Sequence, residues 1–130
     1  MANAPHPIKT PLTEPFYAAA AEGRLLIQRC RSTGRHQWYP RDHSVYDLNA
    51  GVDWVEASGR GEVYTFSVIN RSPFDDVEAP YVFALVELEE GVRMATNIVG
   101  VPPDDVRIGM PVRVTFEQRG DVSLPMFTAA

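Results

Sequence analysis

The most reactive side chains of the chain lie close together in its first third. Cys30 is the single cysteine, and His36 and His43 follow it closely. A cysteine nucleophile needs a base within reach and a third group that orients the base. A free cysteine at the end of a strand is more often a half-buried packing residue. We favour that second interpretation and predict no catalytic residue.

Three pairs of neighbouring carboxylates are the other candidates for acid–base chemistry. They are Asp75–Asp76, Glu89–Glu90 and Asp104–Asp105. All three fall in predicted turns, where solvated charge is the usual role of such residues. No matched acid and base emerges from them. Gly59-Arg60-Gly61 predicts a bend and lacks the pattern of a phosphate-binding loop.

The composition predicts one globular domain, or one domain with a small appendage, since 45% of the 130 residues are hydrophobic. The net charge of -5 disfavours nucleic acid and anionic membranes as partners. A single cysteine excludes an internal disulfide and fits a reducing compartment. Because the sequence shows neither a membrane-length apolar run nor a signal peptide, we expect a cytoplasmic protein.

The strongest strand signal lies just before the middle of the chain. In Gly61–Ile69, the apolar residues Tyr64, Phe66 and Val68 alternate with polar ones, which predicts a strand with that face in a core. Tyr81–Leu88 is apolar on both faces until its end, which predicts a strand covered on both sides. Three further strands are predicted at Val92–Val99, Val112–Glu117 and Leu124–Thr128. Five strands with short turns favour a small antiparallel barrel, most economically an OB-fold, over residues 58–130.

Residues 1–57 form a different region. Met1–Pro11 is rich in proline and predicts an extended arm that is ordered only if it lies on something. Thr13 is predicted to cap a short helix that ends at Gly23 and must dock on the domain or on a partner. A strand at Arg24–Cys30, an irregular knuckle at Arg31–Gly51 and a short strand at Trp54–Glu56 complete the region.

Several segments in this order resemble a known family. They are Pro15-Phe16-Tyr17, Glu22–Cys30, Trp54–Glu56, Ser58–Tyr64, Pro80–Leu88 and Ile108–Val112. The chain resembles the bacterial and archaeal family that combines an N-terminal helix, a rubredoxin-like zinc ribbon and an OB-fold. Its members are often encoded as small companions of thiolase-like enzymes.

The resemblance implies a non-catalytic accessory subunit in a hetero-oligomer. Such subunits bind thiolases, steroid side-chain aldolases of thiolase fold or related acyl-CoA enzymes, and they can bridge these enzymes or help hold CoA. Neither nucleic acid nor a membrane is expected as a partner. The alternative function is a free-standing OB-fold module that binds acyl-CoA.

The metal site of the family is degenerate in this sequence. The family usually carries two C-x-x-C pairs, and the corresponding positions here are Cys30, Thr33, Ser44 and Asp47. This set lacks the four thiolate or imidazole ligands of a tetrahedral zinc site. Rescue by His36, His43 and Asp47 is conceivable. We instead predict a metal-free knuckle, with no zinc, held by packing of Trp38, Tyr39 and Tyr46.

Five arginines lie in a window without Asp or Glu: Arg24, Arg29, Arg31, Arg35 and Arg41. Arginine binds phosphate through paired hydrogen bonds, and aromatic rings stack on adenine. In order of preference we consider contact with an acidic partner, simple cover of the knuckle, a landing site for the CoA nucleotide, and single-stranded nucleic acid. The loop Asn70–Pro80 adds an apolar lip from Phe74, Pro80 and Tyr81. The predicted CoA contacts are Arg29, Arg31, Arg35, Trp38, Phe74 and Tyr81.

Overall fold

A computed structural model of the chain describes residues 3–130, which form one α-helix, eight β-strands and a 3-10 turn at Pro103–Asp105. In chain order the elements are α1 (Glu14–Ala21), β1 (Leu26–Cys30), β2 (His36–Gln37), β3 (Val52–Glu56), β4 (Arg60–Ile69), β5 (Tyr81–Leu88), β6 (Arg93–Ile98), β7 (Pro111–Arg119) and β8 (Val122–Ala129). No helix in this part of the chain is long and apolar enough to cross a bilayer.

The last five strands close into a barrel in the order β4-β5-β6-β8-β7, which confirms the predicted OB-fold. β4 is the longest strand and pairs with β5 along its length and with β7 at its start. Side chains from every strand fill the interior, and Val63, Val86, Val112 and Phe127 are at most 1% exposed.

A bulge in β4 overturns part of the predicted strand pattern. The pairing with β5 shifts between Val63 and Thr65, so that Tyr64 is the extra residue. Val63 is buried and Tyr64 is 43% exposed, whereas Phe66 and Val68 face inward as predicted. The alternation therefore changes phase at Tyr64, since a bulge adds one residue to one strand only.

The prediction for β5 was wrong on one face. Val82, Ala84, Val86 and Leu88 are buried, but Phe83 on the opposite face is 47% exposed. β5 is therefore an ordinary barrel strand with one face in the core. Its outer face carries apolar residues without being covered by the described chain.

The N-terminal sheet has three antiparallel strands in the order β2-β1-β3. α1 precedes it and packs on both β1 and β8, so the helix docks on its own chain. Phe16 is 5% exposed, and its ring centroid lies 5.1 Å from that of Trp38. The barrel, the helix and the N-terminal sheet therefore share one apolar core.

The two ends of α1 differ from each other in how they are capped. Gly23 adopts a positive φ of 77°, and the Gly23 and Arg24 N–H groups donate to the Ala20 and Ala19 carbonyls, which ends the helix as predicted. At the start, the predicted capping by the Thr13 side chain is wrong. Thr13 Oγ1 accepts the Thr10 N–H at 3.0 Å and makes no bond to the helix backbone.

The predicted extended arm lies on the barrel over its described part, which begins at Asn3; Met1 and Ala2 lie outside the described residues. Ala4 is buried, and its N–H donates to Asp76 Oδ1 at 2.8 Å. This bond ties the arm to the loop between β4 and β5. The side chain of Ile8 further along is 85% exposed.

Candidate functional site

Cys30 lies at the end of β1, where the chain enters the knuckle, and it is only 1% exposed. Its Sγ is 3.5 Å from the Ser32 hydroxyl, which donates to Asp47 Oδ2 at 2.7 Å. Ser44 is fully buried, and its Oγ accepts the N–H groups of Tyr46 and Asp47 at 3.0 and 3.2 Å. Hydroxyl groups therefore make the side-chain hydrogen bonds at both ends of the knuckle, around Ser32 and around Ser44.

These hydroxyls also change the acidity of the thiol. Hydrogen bonding with the side chains of Ser32, Ser44 and Thr33 lowers the pKa of Cys30 from 9.0 to about 6, against the opposing effect of burial. The folded state thus favours the thiolate. The stability that the thiolate contributes is fully present above the pKa of Cys30 in the unfolded chain. It is lost as the pH falls through the lower pKa of Cys30 in the folded chain.

The four ribbon positions converge, but they do not fit a zinc ion. Cys30, Thr33, Ser44 and Asp47 offer one thiol, two hydroxyls and one carboxylate, and that carboxylate already accepts a bond from Ser32. Structural zinc takes four thiolate or imidazole ligands. In residues 3–130 no three His, Cys, Asp or Glu side chains are grouped so that they could hold a metal ion.

The cysteine–histidine pair considered from the sequence is not assembled. The hydrogen bonds of the Cys30 side chain go to Ser32, Ser44 and Thr33. His36 lies in β2, where its carbonyl accepts the Tyr46 hydroxyl at 3.0 Å, and His43 is exposed. Among the residues that the structure describes, no base lies beside Cys30 as a nucleophile would require.

A pair of buried glutamines, which the sequence analysis missed, holds the knuckle against the sheet. Gln28 and Gln37 are 1% and 3% exposed, and Gln37 Nε2 donates to Gln28 Oε1 at 2.9 Å. Gln28 exchanges two bonds of 2.8 Å with the backbone of Arg41. Gln37 donates to the His43 carbonyl at 3.2 Å and accepts the Val45 N–H at 2.9 Å. Side-chain amides thus link the strands to the loop.

The packing predicted for the knuckle is only partly present. Trp38 lies against Phe16, but Tyr39 and Tyr46 are 55% and 38% exposed. The Trp38 Nε1 atom is buried, and no described residue accepts a hydrogen bond from it. Of the three aromatic residues, Trp38 therefore makes most of the buried packing. The hydrogen bonds of the glutamine pair hold the rest of the knuckle in place.

The arginine window is less positive than its sequence suggests. β3 pairs with β1 and brings carboxylates to the same surface: Asp53 accepts Arg31 Nε at 2.9 Å, and Glu56 lies 3.3 Å from Arg24. Arg29 instead donates to the Gly34 carbonyl at 3.2 Å. Arg35 stacks 3.9 Å above the centre of the Tyr46 ring. Arg29 and Arg35 thus have no carboxylate partner in the described chain.

The predicted CoA contacts are divided between two places. Trp38 lines grooves beside α1 and the N-terminal sheet, whereas Tyr81 lines a groove of about 440 Å³ at the β4–β5 loop. Phe74 and Tyr81 are half-buried, and Pro80 is exposed. The groove at Tyr81 is acidic, unlike the predicted apolar lip. Its charged residues are Asp76, Glu78, Glu117 and Arg119.

Two family profiles match this architecture. Residues 54–117 match the profile described as the C-terminal OB-fold domain of ChsH2, and residues 18–44 match its rubredoxin-like zinc ribbon domain. The chain belongs to the ChsH2 family. This is the thiolase-associated family that the sequence resembles.

Individual relatives agree with this assignment. A DUF35 domain-containing scaffold protein of Methanocaldococcus jannaschii is 48% identical over 72% of this chain and 68% of its own length. A probable enoyl-CoA hydratase alpha subunit of Thermomonospora curvata is 40% identical over 88% of this chain. The chain spans only 36% of that hydratase subunit.

A solved structure shows the same fold. The matching chain comes from a structure titled Ltp2-ChsH2(DUF35) aldolase, with a TM-score of 0.87 and 37% identity. The match covers 95% of this chain and 98% of the other. The N-terminal sheet and the barrel of this ChsH2-family chain therefore occur together in a solved relative.

The mismatch between the zinc ribbon profile and the residues at Cys30, Thr33, Ser44 and Asp47 gives a direct prediction. We expect the purified protein to contain no stoichiometric zinc, and we expect chelation with EDTA to leave its Tm unchanged, because hydroxyls and a carboxylate cannot replace thiolates as ligands. Elemental analysis of protein purified without a histidine tag measures this. One zinc per chain would show that the ligand assignment is wrong.

Proposed function

We propose that this ChsH2-family chain is a non-catalytic subunit that binds a thiolase-like or related acyl-CoA enzyme and helps form or stabilise the acyl-CoA site of that enzyme. The main support is the match over 95% of the chain to the ChsH2 (DUF35) component of an aldolase structure. The scaffold name of a relative that is 48% identical over 72% of this chain is consistent with this role.

The arrangement of polar side chains also supports a non-catalytic role. Cys30 is buried among hydroxyls, and the paired carboxylates lie in turns or in contacts with arginine. The Glu89 carboxylate, for example, pairs with Arg60 at 3.1 Å, which lowers the pKa of Glu89. Residues 3–130 thus offer surface to a partner and no pair of groups placed for acid–base or nucleophilic chemistry.

Contact with CoA is proposed at the surface shared with the partner. Arg29 and Arg35 remain the best candidates, since their guanidinium groups are exposed and not neutralised by carboxylates. A guanidinium binds phosphate oxygens through two parallel hydrogen bonds. The acidic groove at Tyr81 is a poor place for the phosphates of CoA, so we assign Phe74 and Tyr81 at most to its pantetheine part.

The test is co-expression with a thiolase-like acyl-CoA enzyme from the same organism, followed by size-exclusion chromatography and native mass spectrometry. We expect a stable hetero-oligomer and a lower activity of the enzyme when this chain is omitted. A chain that stays monomeric, beside a thiolase-like protein that is fully active alone, would overturn the proposal. Calorimetric titration of the isolated chain with CoA esters distinguishes the free-standing acyl-CoA-binding module, which alone predicts heat in this experiment.

A further inference from the structure

The barrel has an incomplete junction between β6 and β8. These two strands run parallel and share the single pair Ile98–Phe127. The Thr96 hydroxyl donates to the Pro125 carbonyl at 3.0 Å, but no further strand pairing joins them in the described chain. Continuing the ladder would require an N–H at Pro125 for the Ala95 carbonyl, and proline has none. Most of β6 is therefore an open strand edge.

The backbone of β6 can be oriented from its pairing with β5. The Leu88 N–H donates to the Val92 carbonyl, which makes these two residues a hydrogen-bonded pair. In an antiparallel ladder such pairs alternate along the strands, so Met94 and Thr96 direct their backbone groups toward β5. Ala95 therefore directs its N–H and C=O away from β5, toward the gap beside β8.

An apolar groove runs along this edge. It has a volume of about 290 Å³ and is walled by α1 and Trp38 on one side and by β6 and β8 on the other. Its apolar side chains include Phe16, Phe83, Leu124 and Met126. We call it the β6 groove. Its volume lies at the lower limit for small-molecule sites, which favours an extended stretch of backbone over a cofactor.

The charge around the β6 groove limits the kind of partner. Arg119 is the only charged residue that lines it in the described chain, and Arg93 is the only one that lines the adjoining groove beyond Trp38. Arg93 also stacks 3.7 Å above the Tyr64 ring and lies 3.9 Å from Glu87, while Arg119 pairs with Glu117 at 3.2 Å. Glu117 neutralises Arg119, but the 3.9 Å contact of Arg93 with Glu87 is long, so Arg93 favours an occupant that brings a carboxylate.

We propose, on the basis of the proposed function, that the β6 groove binds an extended segment of the partner enzyme as an added strand along Arg93–Asn97. The segment pairs its backbone with Ala95, places an apolar side chain against Phe83 and Leu124, and directs a carboxylate to Arg93. Strand addition gains affinity from main-chain hydrogen bonds and specificity from the side-chain groove. An open edge of this kind is otherwise a site of unwanted pairing.

Amide hydrogen exchange tests the proposal on the unmodified complex. In the complex with the thiolase-like enzyme used in the co-expression test, we expect the Ala95 amide to exchange at least about tenfold more slowly than in the free chain. The exposed Leu48 amide in the knuckle is the control and keeps its exchange rate. A complex that forms while the Ala95 amide keeps its free rate overturns strand addition and leaves the proposed function standing. If no complex forms, both fail.

Two variants at one position give an independent measurement. Ala95→Pro removes the N–H that faces the groove and none of the bonds to β5, whereas Ala95→Ser keeps the N–H and nearly the same size. We expect Ala95→Pro to raise the Kd for the partner by about tenfold or more and Ala95→Ser to leave it within about twofold. Equal Kd values for the two variants, with both shown to be folded by circular dichroism, would contradict the proposal.

Discussion

Replacing Gln37 with leucine will destabilise the N-terminal sheet while leaving the barrel folded. The substitution removes the bonds of the Gln37 side chain to Gln28, to the His43 carbonyl and to the Val45 N–H. Leucine has a similar size but cannot donate or accept, so buried groups are left without partners. Counting about 1 kcal/mol for each bond, we expect a loss of about 3 kcal/mol in the free energy of unfolding of this sheet.

The position of the two tryptophans makes this loss measurable. Trp38 and Trp54 both lie in the N-terminal region, so urea unfolding followed by tryptophan fluorescence reports on that region, while far-UV circular dichroism is dominated by the barrel. For Gln37→Leu we expect the fluorescence midpoint to fall below the dichroism midpoint.

A matched glutamine serves as the control. Gln118 is exposed and bonds to the Gly120 carbonyl at 2.8 Å, so Gln118→Leu should cost less than about 0.5 kcal/mol. If the two leucine variants unfold at the same urea concentration, the glutamine pair does not hold the knuckle.

The barrel could be predicted from the sequence because the patterns that indicate its strands and turns are local. The predicted strands at Tyr81–Leu88, Val92–Val99 and Val112–Glu117, and the predicted turn at Glu89–Glu90, all have counterparts in the structure. The glutamine pair could not be found in the same way. Gln28 and Gln37 resemble any polar residues in extended segments, and their burial depends on the loop that folds over them. A long side-chain amide within a strand, opposite a loop that has lost its usual metal ligands, is the one signal that could have indicated them.

Two of the errors have the same physical origin, which is the pairing of strands distant in sequence. The arginine window contains no acid along the chain, but the β1–β3 register places Asp53 beside Arg31. Tyr64 follows the apolar alternation, but the bulge opposite β5 turns it outward. The open edge of β6 similarly depends on Pro125 in β8. Such features depend on which residues become neighbours, and a single sequence specifies that only indirectly.

Gly61→Ala will be the most damaging small substitution in the barrel. Gly61 pairs with Leu88 of β5 and with Val112 of β7, at the place where β4 joins both strands. A Cβ there would overlap the Glu87 carbonyl oxygen and lie 3.0 Å from the Glu87 carbonyl carbon and from Val86 Cγ1. Since the main obstacle is backbone, it cannot rotate away, and we expect a loss of about 3 kcal/mol in the free energy of unfolding.

Gly91→Ala is the control that distinguishes the cost of steric overlap from the cost of replacing a glycine that has a positive φ. Gly91 has a φ of 89°, and a Cβ there would meet no atom within 4 Å. We therefore expect this variant to lose only about 1 kcal/mol in the free energy of unfolding, because alanine is strained in the left-handed backbone conformation. Urea unfolding monitored by far-UV circular dichroism compares the two. A Gly61→Ala barrel as stable as the Gly91→Ala barrel would mean that β4 and β5 can separate at Glu87 without loss of the closed barrel.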